Sequence, residues 1–156
     1  MLIIPRIRKE IGKKRKGFVV VAASNPETIR IERENDIVTA RHIGRNMSKE
    51  LGFGAIMQSR IATSISELAR NIFLYAGSGT ITIAIVEREG KKGLQITAID
   101  EGPGIPDIRK ALEDGYTTSG ALGAGLPGVQ RMMDCFDIES APGKGTRVDV
   151  IKWFEQ

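Results

Sequence analysis

Alternation of apolar and polar positions marks the strands of this chain, and a period near 3.6 marks its helices. Ile29 and Ile31 alternate with polar neighbours across residues 28–32. Ile81, Ile83 and Ile85 do so across 80–87, and Leu94, Ile96 and Ala98 across 94–99, with a hairpin turn at 89–93 between them. Residues 136–140 and 146–154 close the chain as a second hairpin. Helical spacing fills the gaps. Asn35 or Asp36 reads as the N-cap of a helix that turns Ile37, Ala40, Ile43, Met47 and Leu51 inward and stops at Gly52 and Gly54. A longer helix carries Met57, Ile61, Ile65, Leu68, Ile72 and Tyr75 on one stripe and ends at 76–79. A third runs from about Leu126 to Cys135, with Val129, Met132, Met133 and Phe136 inward. This order predicts an α/β two-layer sandwich, a mixed sheet covered on one face by helices.

At 156 residues the chain fits one domain with a substantial core. A single cysteine, Cys135, excludes an internal disulfide framework and fits a reducing cytoplasm. One histidine and one cysteine argue against a zinc site, so any metal should be a hard ion held by oxygen, with magnesium the natural choice. No apolar run reaches the roughly 20 residues a membrane span requires. The net charge of +4 belongs to one end of the chain: Arg6, Arg8, Lys9, Lys13, Lys14, Arg15 and Lys16 face a single acid, Glu10, within residues 1–17. Removing these from the totals of 23 basic and 19 acidic groups leaves 16 and 18, a net of −2 for the rest. Residues 1–25 therefore read as a basic N-terminal extension, solvated and poorly ordered, with an extra edge strand at 18–23 as the alternative. No aromatic residue interleaves with its charges, which argues against nucleic-acid binding.

Four short segments carry the candidate chemistry. Glu67 and Asn71 stand one helical turn apart, at the edge of the stripe of Leu68 and Ile72, where a carboxylate can take a hydroxyl proton and a carboxamide oxygen can ligate magnesium. Asp100 ends a strand ahead of Gly102-Pro103-Gly104, leaving a half-buried acceptor for an exocyclic amine beside backbone that a flat ring can approach. Gly123, Ala124, Gly125 and Leu126 lead into a helix with Pro127 in its first turn, a cradle of free N–H groups suited to phosphates. Gly143-Lys144-Gly145-Thr146 closes the late hairpin on a hydroxyl. Each segment alone also reads as an ordinary helix surface, turn or loop. The third is neither a Walker loop, since no Gly-Lys-Ser/Thr opens the helix, nor a dinucleotide fingerprint.

Taken together the segments resemble the N, G1, G2 and G3 boxes of the GHKL superfamily, which includes gyrase-type ATPases, Hsp90, MutL and histidine kinases. Ser66-Glu67-Leu68-Ala69-Arg70-Asn71 has the acid that histidine kinases lack. Residues 50–54, 65–72, 102–110 and 123–129 resemble the RsbT family of switch serine/threonine kinases, relatives of the anti-sigma factor kinases. The resemblance implies a Bergerat fold over residues 26–156, ATP and magnesium as cofactors, and a cytoplasmic protein kinase. It implies STAS-domain substrates of the RsbS and RsbR type in the stressosome, and a PP2C-type phosphatase of the RsbU type that released kinase activates. It also implies roles: Glu67 the base, Asn71 the metal ligand, Asp100 at the adenine amine, Gly102 and Gly104 beside the ring, Gly123 to Leu126 on the phosphates, and Thr146 near the adenine. The competing readings are a nucleotide-dependent partner-switching module with little kinase activity and a GHKL ATPase. The basic extension and Tyr75, where anti-sigma kinases often have histidine, are departures from the family pattern.

Overall fold

A computed structural model of the chain describes residues 6–10, 21–113 and 125–155. Seven strands form one sheet: β1 (Arg6–Glu10), β2 (Val21–Ala22), β3 (Glu27–Ile31), β4 (Gly79–Arg88), β5 (Lys91–Asp100), β6 (Cys135–Ser140) and β7 (Thr146–Trp153). The order is β1-β6-β7-β5-β4, and β2 and β3 both pair with the far side of β4. Helices α1 (Glu34–Leu51), α2 (Ala55–Asn71), α3 (Ile108–Ala111) and α4 (Gly125–Met132) complete the fold, and one π turn, Ile72–Ala76, extends α2.

The α/β sandwich expected from the sequence is present, with one correction. Every pairing among the described residues is antiparallel, so the sheet is not mixed. Two successive helices lie between β3 and β4 and return the chain on an antiparallel course, while β4–β5 and β6–β7 are hairpins. The β4–β5 turn is only Glu89 and Gly90, both at positive φ (55° and 77°), which suits the twist of a two-residue hairpin.

On the helix side, Ile81, Ile83, Leu94, Ile96, Ile138, Val148 and Val150 share one core with Ile61, Ile65 and Leu68 of α2 and Ile72 of the π turn. The start of α1 differs from the sequence reading. Asp36 lies inside the helix, and its carboxylate accepts from the backbone N–H groups of Glu32 (3.0 Å) and Arg33 (2.9 Å). These bonds, that of Glu32 first, hold its carboxyl below the ordinary value. Gly52, at φ 112°, ends α1 by donating to the Ser48 and Lys49 carbonyls. Cys135, expected on a helix face, begins β6 and is buried.

The expected poorly ordered extension does not hold for residues 6–10 or 21–22, which are sheet strands. β2 matches part of the edge strand considered for 18–23; residues 18–20 lie outside the described residues. β1 closes the opposite side by pairing with β6 from Arg6↔Glu139 to Glu10↔Cys135. Ile7 packs against the core, while Arg8 takes part in a polar row across the other face. In register, that row runs Arg8, Asp137, Asp149, Thr97, Thr82, Thr28. Two carboxylates directly opposite each other would repel. Each has a cation: Arg8 lies 3.0 Å from Asp137, and Arg147 2.8 Å from Asp149, which also accepts from Thr97 at 2.6 Å. No helix among the described residues is long and apolar enough to cross a membrane.

The Arg8–Asp137 pair joins a side chain 31% exposed to one only 3% exposed. Replacing Arg8 with Met should lower unfolding free energy by about 1–3 kcal/mol, because a buried carboxylate loses a charge-assisted partner. Urea denaturation measures this; an unchanged midpoint would show that β1 contributes nothing through that pair.

Candidate active site

One cavity, about 490 Å³, opens where α2, the π turn, the loop after β5 and the start of β7 converge. Of the residues singled out in the sequence, Asn71, Asp100, Gly104, Gly125, Leu126 and Thr146 line it. The structure therefore brings four separate segments together at one place. Gly123 and Ala124 lie outside the described residues.

Asn71 ends α2 at the cavity wall. Glu67, one turn earlier, does not line the cavity. It is 1% exposed, buried more deeply than the expected edge position, with an Arg70 guanidinium nitrogen 3.4 Å from Oε1.

Beyond Asn71 the helix widens. Ile72–Ala76 makes a π turn, so positions after Ile72 rotate away from the 3.6-residue stripe. Tyr75, expected to face the core, is instead 55% exposed and lines the cavity. The turn closes at Gly77, and Gly79 starts β4 against Ile72 and Asp100.

Asp100 stands opposite Thr146 in the β5–β7 ladder. Its Oδ1 accepts from the Gly102 N–H at 2.9 Å, and the Thr146 N–H also donates to the carboxylate. Burial raises the Asp100 pKa, partly offset by those two bonds. The group is therefore an acceptor held in a partly dry place, charged at neutral pH only at some cost, and ready for a donor from a ligand.

The glycines around it answer to the protein's own backbone. Gly104, at φ 79°, leaves no room for a Cβ against the Ala141 carbonyl, and Gly145, at φ 74°, none against the Asp100 carbonyl. Gly102 does not line the cavity; a Cβ there would press on Ala76, 2.5 Å from its Cβ. The late hairpin is thus locked onto the Asp100 loop, with the Gly143 N–H donating to the Pro103 carbonyl at 2.8 Å.

Ser140, which the sequence reading passed over, joins the two loops. It is 1% exposed, and its Oγ accepts from the Ile105 N–H (2.8 Å), donates to the Gly145 carbonyl (3.0 Å) and meets Thr146 Oγ1 (2.8 Å). A signal was available: Phe136, Ile138 and Ser140 share one face of β6, so a hydroxyl interrupts an apolar alternation next to a glycine turn.

The Asp100 shift has a definite sign. Its folded pKa is raised above the ordinary value of 3.8, so the stability it confers is complete below that value and is lost as pH rises through the folded pKa. Asp100→Asn should remove that loss. As pH rises from acid to neutral, the denaturant midpoint of the native protein should lose ground relative to that of the variant; parallel curves would contradict the assignment.

Comparison with known proteins agrees with the geometry. Residues 57–156 match the family described as histidine kinase-, DNA gyrase B-, and HSP90-like ATPase. The chain is 63% identical over 125 residues to serine/threonine-protein kinase RsbT of Bacillus subtilis (strain 168), covering 80% of this chain and 94% of that protein. It is 37% identical over 99 residues to the anti-sigma F factor of Caldanaerobacter subterraneus subsp. tengcongensis, covering 60% and 68% of the two chains. An anti-sigma F factor of Geobacillus stearothermophilus is 32% identical over 97 residues, 58% of this chain and 65% of its own. The chain therefore belongs to the family described as histidine kinase-, DNA gyrase B- and HSP90-like ATPase, and within it to the RsbT kinases.

Proposed function

We propose that this chain is an ATP-dependent serine/threonine protein kinase that switches between protein partners. The observation that carries the reading is the convergence of Asn71, Asp100, Gly104, Gly125 and Thr146 on one cavity, with Glu67 buried a single turn from Asn71. The likeness to an RsbT kinase and to anti-sigma F factors supports both the chemistry and the exchange of partners. By that likeness the substrates are STAS-domain proteins of the RsbS and RsbR type, and the released kinase activates a PP2C-type phosphatase of the RsbU type in the cytoplasm.

In this reading Asp100 accepts from the adenine amine, Gly102 and Gly104 flank the ring, and Thr146 lies beside it. The backbone from Gly123 to Leu126 holds the phosphates. Asn71 offers a hard oxygen, and among the described residues no cluster of three or more His, Cys, Asp and Glu side chains could hold an ion alone. A magnesium ion held by Asn71, the phosphates and water would neutralise phosphate charge. Glu67 takes the proton of the substrate hydroxyl as its oxygen attacks the γ-phosphorus, and the bond to the bridging oxygen breaks to release ADP. Arg70, 3.4 Å from Glu67 Oε1, fixes where that carboxylate sits.

Glu67→Gln keeps the shape and removes the base. Transfer of labelled phosphate from ATP to a STAS substrate should fall by about 10²-fold or more while ATP binding stays near native. Native-rate transfer by the variant would exclude Glu67 as the base. If the native protein binds ATP and transfers nothing, a nucleotide-controlled partner switch replaces the kinase reading. Asn71→Ala should abolish the gain in ATP affinity that magnesium brings, measured by titration with and without the ion; a full magnesium effect in the variant would remove Asn71 as ligand.

A further inference from the structure

β1 joins the sheet at its outermost position and yet reaches the supports of the cavity. It lies along the β6 edge in a register that sets Ile7 beside Ile138 and Arg8 beside Asp137. Ile7 packs against the core cluster that holds Ile108 and Ala111, and β1 touches α3, the helix on which both of those residues lie. Ala111 in turn lines the cavity, together with Ile105 and Pro106 just before α3. The same register brings β1 to Glu139, the neighbour of Ser140, whose hydroxyl joins the Asp100 loop to the late hairpin.

What holds β1 there is slight but selective. Five residues must be ordered, and the side chains described in them are one partly buried isoleucine and one arginine. With β1 gone, the β6 edge bares a row of backbone N–H and C=O groups. Asp137, only 3% exposed, also loses the guanidinium 3.0 Å away. Such an edge takes up another extended segment through the same ladder. It selects one that brings an apolar residue to Ile138 and a cation to Asp137.

We propose that the β6 edge is a strand-docking site coupled to the nucleotide cavity, and that its ligand is an extended peptide segment in which arginine follows an apolar residue. β1 occupies the site from within the chain, and a strand of that pattern on a partner protein exchanges with it. Through α3, an occupied edge holds the cavity wall at Ala111, so strand and nucleotide strengthen each other's binding. The coupling rests on the proposed ATP reading of the cavity, whereas the docking does not.

The probe is a fluorescein-labelled peptide of residues 4–10, titrated against the full chain by anisotropy. Arg8→Glu sets a carboxylate against Asp137 and vacates the edge. This variant should bind the peptide about 10-fold or more tightly than native protein, in which β1 competes for the site. The peptide bearing Arg8→Glu should bind neither protein. ATP affinity of the variant should be about 5-fold below native and recover at saturating peptide; by linkage, ATP should tighten the peptide by the same factor. Ile7→Ala loosens β1 without a new charge and should move both affinities in the same directions, which covers an Arg8→Glu chain that does not fold. Equal peptide affinity in native protein and the folded variants overturns the docking site, as does equal binding of the two peptides. Lower ATP affinity that the peptide does not restore is mere loosening and overturns the coupling, as does ATP affinity that the variants leave at the native value. A native dimer that the peptide dissociates would make a second copy the occupant and overturn the exchange with another protein. Native protein that binds no ATP overturns the ATP reading and the coupling with it, while the peptide titrations still decide the docking site.

Discussion

The Asp100 loop and the late hairpin can approach each other only where side chains are missing, and the whole site depends on that contact. Gly104 lies against the Ala141 carbonyl and Gly145 against the Asp100 carbonyl. Backbone polar groups brought this close lose water and must be satisfied inside the protein. Ser140 does so for Ile105 and Gly145, and the Gly143–Pro103 bond closes the same junction. Two chain segments about 40 residues apart thus become one rigid wall. Asp100 and Thr146 are aimed from that wall, and the raised Asp100 pKa is the electrostatic cost of placing an acceptor there.

The opposite wall is less regular. α2 is an ordinary amphipathic helix as far as Asn71, and then widens into the π turn. Such turns recur at functional sites because they redirect side chains without ending the helix. Here the result is that Ile72 stays in the core while Tyr75 turns to the cavity. The same helix and its π turn therefore anchor the fold through Ile61, Ile65 and Leu68 and turn Asn71 and Tyr75 to the cavity.

Much of this was legible from local pattern. The apolar alternation of β4 and β5 marks the core face, and Asp100 and Thr146 stand out because each lies at a strand end within two residues of a glycine. What escaped detection depended on partners distant in sequence or on a change of period. β1 carries a run of basic residues with one inward apolar position, and reads as a solvated tail unless Asp137, 129 residues away, is known to face Arg8. Tyr75 was assigned inward by continuing a 3.6-residue period through a turn that does not keep it. Ser140 looked like the polar end of a strand, since its three partners come from the Asp100 loop and from the far side of its own hairpin. The mixed sheet was an expectation of architecture, corrected by the two-helix connection that sends β4 back antiparallel to β3.

The central claim is that the nucleotide wall is built before any ligand arrives. Hydrogen exchange of the Ile105, Gly143 and Thr146 amides in nucleotide-free protein tests it most directly, since each donates to a partner across the junction. The account predicts protection comparable with that of the β6–β7 ladder itself, changing little when ATP is added. Exchange of these amides at the rate of an unstructured peptide, with protection gained only on binding ATP, would contradict it.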